Sequence, residues 1–245
     1  MAADRRARRF PLSGGSSLKL AISHWYDFGS DRALVGAELA GEAAWDALRL
    51  GSRGAFGLPE TRAEWEARAD ADRAAGARAR ALVALLDRRG VRTLASYGAG
   101  AAVPELWLAR LAPGRRLVVT EFAPATVERL AALFPEADVR RHDLRRDPPV
   151  ADADLHLFHR IDTEFDDESF RAVLARFSAV PVVVVATELL SARAVLRELR
   201  TRLRPGAARA GLVRSRDAFE ALWRDTHDGV PLRVHDLHGW LLEPR

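Results

Sequence analysis

The chain has 245 residues, 48% of them hydrophobic, enough for one large core or a core plus a cap. It has no cysteine, which excludes a disulfide scaffold, thiolate zinc and iron–sulfur chemistry and fits a reducing cytoplasm. Its pI of 10.4 points toward nucleic acid, but the net charge is only +4 and Lys19 is the sole lysine, so arginine, which does not titrate, sets the pI.

In chain order, Met1–Arg9 holds four arginines and one aspartate and takes most of that charge, leaving a nearly neutral body. Residues 1–15 read as a disordered basic tail. The run that follows is broken by glycines, serines and Lys19, so it fits neither a twin-arginine signal nor a membrane span. From 16 to 87 the pattern is helical, in alanine-rich runs with charged faces over Asp31–Leu50 and Thr61–Asp87, with Gly51–Pro59 a loop between them. No alternating strand pattern stands out before Val91. This segment is expected to form a helical cap over a sheet.

From residue 88 the pattern changes. Strand-like runs at Val91–Tyr97, Arg116–Thr120, Ala137–Arg141, Ala153–His159 and Val180–Thr187 alternate with helix-like runs at Pro104–Leu111, Pro124–Leu133, Glu168–Phe177 and Ser191–Leu203. That alternation predicts a parallel sheet covered on both faces. The end departs from it: Arg209–Arg214 reads as a strand, Asp217–Arg224 as a short helix and Val230–Leu242 as a last strand, a spacing that fits an antiparallel finish.

Three strand ends carry chemistry. RTLASYGAGAAVPELWLARLAPGRRLVVTE, Arg92 to Glu121, is strand, glycine turn, helix and second strand ending on an acid. Gly98 and Gly100 permit a tight turn and close backbone approach to a ligand, although any strand-to-helix turn accounts for a glycine pair equally well. Glu121, 21 positions after Gly100, is placed to accept ribose hydroxyls. Asp143 and Leu144 follow the third strand in VRRHDLRRD, and LHLFHRIDTEFDDES brings His159, Asp162, Thr163 and Glu164 to the end of the fourth.

A glycine turn after the first strand, an acid after the second and Asp-Leu after the third resemble class I S-adenosylmethionine (SAM) dependent methyltransferases of the small-molecule type, over roughly Val91 to Arg245. The resemblance implies an α/β three-layer sandwich: a Rossmann-like, mostly parallel sheet with an antiparallel C-terminal strand pair under an N-terminal helical cap. It implies SAM as cofactor, with Tyr97, Gly98, Ala99, Gly100, Glu121, Phe122 and His159 around it, Asp143 near the adenine amino group and Leu144 against the ring. Two positions depart from the family: Ser96 stands where an acid usually begins the loop, and Ala102 where a third glycine is common.

The implied activity is methyl transfer to a small molecule, on an oxygen, nitrogen or carbon the sequence does not name. His159 is the first candidate base, followed by His24 and Tyr26; Trp25, Tyr26, Asp162 and Glu164 are candidates for acceptor contact, the aromatics of HWYDF serving equally as core anchors. His235, Asp236 and His238 do not converge as metal ligands, and no metal is expected. No nucleic-acid or membrane partner is expected, and a homodimer is left open. Two other readings stand beside this one: a non-catalytic binding protein on the same fold, and a nicotinamide-dependent oxidoreductase, which would want a glycine where Val103 stands.

Overall fold

The structure, a computed structural model, describes residues 19–35 and 41–245. The basic tail therefore lies outside the described residues. Seven strands form one sheet in the order β4-β3-β2-β5-β6-β9-β8, the last two being Leu237–Pro244 and His227–Val234. Five are parallel: β2 (Thr93–Tyr97), β3 (Arg116–Glu121), β4 (Asp138–Arg141), β5 (Leu155–His159) and β6 (Val182–Val185). The order runs outward from β2 to β4 on one side and from β5 to β8 on the other. The switch point therefore falls between β2 and β5, where open α/β sheets leave a crevice for ligands.

Burial on both faces explains the strand compositions. All four valines of β6 are buried, and β3 is buried from Leu117 to Glu121. One face carries α2 (Arg62–Ala71), α3 (Arg73–Arg88), α4 (Val103–Leu111) and α5 (Pro124–Leu133), whose Trp65, Leu82, Leu106 and Leu130 pack with Leu94, Val119 and Leu157 of the sheet. The opposite face carries α6 (Asp167–Arg176) and α8 (Arg216–Glu220), with Phe170, Phe177, Phe219 and Trp223 against Phe158, Val184 and Trp240. This is the three-layer α/β sandwich expected.

The helical reading of 16–87 is corrected at its start. Ala21–Asp27 is a strand, β1, paired antiparallel with β7 (Ala207–Arg214) in a separate two-stranded ribbon. α7 (Ala192–Arg202) packs on this ribbon. The run expected over Asp31–Leu50 is a 3-10 turn at Gly29–Leu34 and helix α1 (Glu42–Gly51), with 36–40 outside the described residues. The Thr61–Asp87 run is two helices, parted where Asp72 caps α3 by accepting from Ala75 N–H at 2.9 Å.

The last strand is also corrected. Val230–Leu242 is the greater part of a hairpin, β8 (His227–Val234) and β9 (Leu237–Pro244), turning at His235 with φ +55°. The hairpin is the antiparallel finish, with β9 against β6. Among the described residues no helix is long and apolar enough to cross a membrane.

Candidate functional site

The loop after β2 is built around two glycines in the left-handed region, Gly98 at φ +63° and Gly100 at φ +58°, with Ala102 at φ +49° opening α4. A Cβ at Gly98 would meet Ile161 Cγ2 at 2.9 Å, and one at Gly100 would meet Arg49 Nη2 at 2.6 Å. The left-handed conformation favours glycine at both positions, and at Gly98 the nearby Ile161 leaves no room for a side chain. Glu121, 5% exposed, faces this loop from the end of β3. Its Oε2 accepts from Gly100 N–H and its Oε1 from Phe122 N–H, both at 2.8 Å. Each oxygen retains a lone pair for a further donor.

Glu121 and Gly98 share a cavity of about 150 Å³ with Phe122, His142, Asp143 and Leu144. Asp143 is braced by its own segment: Oδ1 accepts from Arg145 N–H at 2.9 Å, and its N–H donates to Asp147 at 2.8 Å. Leu144 is 7% exposed and forms an apolar wall. Thus the strand-end acids and the residues beside them, predicted separately along the sequence, converge on one space.

Ser96, where the family usually has an acid, has a buried acid beside it, from the first turn of α4. Ser96 is fully buried, and its Oγ donates to Glu105 Oε1 on the first turn of α4 at 2.6 Å. Glu105 is 2% exposed, and its Oε2 has no hydrogen-bond partner among the described residues. Burial pushes its carboxyl up to about 7, with the bond from Ser96 opposing. Between 4.5 and about 7 the folded chain holds a proton that the unfolded one has lost, so this contribution to stability is fully present below 4.5 and is lost as pH rises through about 7. Glu105→Gln is therefore expected to flatten the fall in thermal midpoint between pH 5 and pH 8, by the equivalent of about 3 kcal/mol. Parallel pH curves for wild type and variant would show that Glu105 is not the titrating group.

A larger cleft of about 1080 Å³ adjoins the small cavity. The two share Tyr26, Arg49, Phe56 and Arg160 as walls. Arg49 lies across the boundary: its guanidinium occupies the space a side chain at Gly100 would need, donates to Phe56 O at 2.7 Å and stacks 5.0 Å from the Trp45 ring. The cleft is lined by His24, Ala99 and His159 and by the α7 end carrying Arg193 and Arg197.

His24 comes from β1. Its Nδ1 is 3.1 Å from Glu198 Oε1 on α7, and Nε2 has no partner among the described residues. Glu198 is 4% exposed and also accepts from Trp25 N–H at 2.8 Å and from Arg197 at 2.6 Å. Burial alone would raise the Glu198 carboxyl, but these bonds outweigh it and hold it below the usual range. A carboxylate on Nδ1 fixes the tautomer that leaves Nε2 as the acceptor. His159 also lines the cleft with Nε2 unpartnered, but burial, reinforced by Arg160 and Arg78, lowers it to about 3. Tyr26 hydrogen-bonds Glu164, whose carboxyl burial pushes up to about 7, and the tyrosine is itself pushed well above its ordinary value by burial and by Glu164.

Three expected contacts are displaced. The Tyr97 side chain points into the core, bonded to His156 at 2.9 Å and accepting from Val150 N–H at 2.9 Å. Trp25 lines neither space and lies under Arg202 at 5.7 Å. Asp162 is 1% exposed and accepts from Thr187 N–H at 2.8 Å and from the Thr187 hydroxyl at 2.7 Å, as a brace for the turn. The residues not anticipated are Arg49, Glu105 and Glu198, all on helices. Asp236, in the β8–β9 turn, accepts from Arg78 of α3 at 2.8 and 2.7 Å.

No protein-family model matches the chain, and no curated protein matches it. Solved structures do. The human N-acetylserotonin methyltransferase in complex with SAM matches with a TM-score of 0.55 and 19% identity over 68% of this chain and 51% of its own. TnmH matches at 0.57 and 18% over 75% and 57%, and the mitomycin 7-O-methyltransferase MmcR at 0.54 and 16% over 91% and 80%. The chain spans about half the length of the human enzyme. At these identities the likeness is one of fold. This chain has the fold of the class I SAM-dependent methyltransferases.

Proposed function

We propose that the protein binds SAM and transfers its methyl group to a small-molecule acceptor, with His24 as the general base. The observation that carries this reading is the His24–Glu198 pair: its Nε2 is buried and unpartnered among the described residues, on a histidine lining a cleft that shares its walls with the cavity beneath the glycine loop.

The donor set fits a nucleoside carrying an amino-acid tail. Glu121 offers oxygens to ribose hydroxyls, and Asp143 and Leu144 an acid and an apolar wall to the base. The unpartnered Glu105 Oε2 lies behind the loop that a methionine ammonium would approach, and Arg49 against Gly100 suits its carboxylate. The cavity of about 150 Å³ is below the roughly 300–1,000 Å³ of most small-molecule sites, so a ligand reaching the cleft must displace the Arg49–Phe56 wall.

When bound, the sulfonium cofactor supplies an electrophilic methyl carbon. His24 Nε2 would accept the proton of an acceptor hydroxyl or amine, as the S–CH3 bond breaks and the neutral thioether leaves. Glu198 holds the imidazole in its tautomer and faces the positive charge that develops on it. Tyr26 and Phe56 close the cleft around the reacting groups.

Calorimetric titration with S-adenosylhomocysteine tests the reading. Saturable binding is expected, weakened by Glu121→Ala by about tenfold to a hundredfold, with circular dichroism unchanged. Absence of binding at millimolar concentration would sink it.

A further inference from the structure

The lining of the large cleft carries five arginines, Arg49, Arg78, Arg160, Arg193 and Arg197, against two carboxylates, Asp236 and Glu188. Both carboxylates are already committed. Asp236 takes a two-point contact from Arg78, and Glu188 pairs with Arg197, which also binds Glu198. Arg49 is turned toward Gly100 at the glycine loop. That leaves Arg160 and Arg193 as cations on the cleft wall with no acid partner among the described residues.

The backbone around Arg160 is specialised for its direction. It follows His159 at the end of β5 with φ +61°, a conformation rare for arginine. Its N–H donates to Val185 O at 2.8 Å, and its carbonyl accepts from the Thr187 hydroxyl at 3.0 Å. The main chain is thus pinned to β6 while the side chain borders both cavities. Arg193 lies in the first turn of α7, on the same cleft. The same lining includes the apolar side chains of Phe56, Leu189, Leu190 and Leu237. A concave, partly apolar site focuses the field of unneutralised cations, and guanidinium groups match planar oxyanions in two-point contacts.

We propose that the acceptor bound in this cleft is a small apolar molecule bearing a carboxylate or phosphate, held by Arg160 and Arg193 while its nucleophile faces His24. The word acceptor rests on the methyltransferase reading; the anion site itself does not. A concave cleft of about 1080 Å³ on a nearly neutral body favours a small anion over a nucleic-acid strand.

The test is titration of the full chain with 4-hydroxybenzoate, phenyl phosphate and phenol, followed by calorimetry or ligand-observed NMR. At least one of the two anions is expected to bind about tenfold or more tighter than phenol, and whichever binds better identifies the oxyanion. Arg193→Gln and Arg160→Gln are each expected to erase that preference by about tenfold, Arg193→Gln without change in thermal midpoint or in S-adenosylhomocysteine affinity. Equal binding of anions and phenol, or variants that keep the preference, would overturn the proposal. So would a short labelled RNA that binds through the same arginines while neither small anion binds. Anion preference retained by a chain that binds no S-adenosylhomocysteine supports the anion site and counts against the methyltransferase reading alone.

Discussion

Replacing His24 with alanine is expected to lower kcat by about 10²- to 10⁴-fold while leaving the affinity for S-adenosylhomocysteine unchanged. The separation follows from geometry. His24 lines the large cleft and not the cavity that holds Glu121 and Asp143. Its partner gives a second, graded test. Glu198→Gln keeps the shape but removes the charge facing the imidazole, so kcat should fall less than in His24→Ala and the KM for the cofactor should hold. His159→Ala serves as the contrast: a ring held at about 3 by burial is a weak base near neutral pH, and its loss should cost little through proton transfer. If His159→Ala abolished turnover and His24→Ala did not, the base would be misassigned.

The largest stability effect is expected at Arg214. Its side chain is fully buried at the end of β7. Nε donates to Asp167 at 2.6 Å, Nη1 to Asp162 O at 2.9 Å and Leu212 O at 3.2 Å, and Nη2 to Phe165 O at 2.7 Å. The guanidinium thereby satisfies two carbonyls around the turn that carries Glu164 and one on its own strand. Arg214→Met fills a similar volume but leaves these acceptors and the Asp167 charge without their donor. Losing one member of such a buried polar set costs about 3–5 kcal/mol, which for a chain of this size lowers the thermal midpoint by about 6–20 °C. Arg214→Lys should recover only part, because a single ammonium cannot serve so divergent a set of acceptors. Chemical denaturation of the three chains checks the order, and an unchanged midpoint for Arg214→Met would show that the network carries little stability.

The parallel sheet was legible because its strands are buried on both faces and are punctuated by turns and helices; β6 as VVVV has no competing reading. The ribbon strand β1 was not, for a physical reason. Only His24 of its seven residues is buried, and a register irregularity between Ser23 and Trp25 breaks the alternation that marks a half-buried strand. The β8–β9 turn hid similarly, since His235 takes the left-handed conformation that glycine or asparagine would have advertised. In the site, Glu121 and Asp143 were readable from their places at strand ends. Asp162 shared that logic but lines neither space, because position at a strand's end does not fix where a side chain points. Glu105, Glu198 and Arg49 gave no signal at all: a charged residue on a helix looks alike whether it meets solvent or a partner distant in sequence.

The β1–β7 ribbon has a kinetic consequence. His24 and Glu198 are 174 residues apart, and the strand that carries the histidine pairs with a strand equally remote. Closing so long a loop forfeits chain entropy before any contact repays it, whereas β2, α4 and β3 assemble from neighbouring sequence. The frame around the glycine loop is therefore expected to form before the ribbon brings His24 to Glu198. On the proposed function, recovery of turnover should then lag behind recovery of S-adenosylhomocysteine binding when the protein refolds.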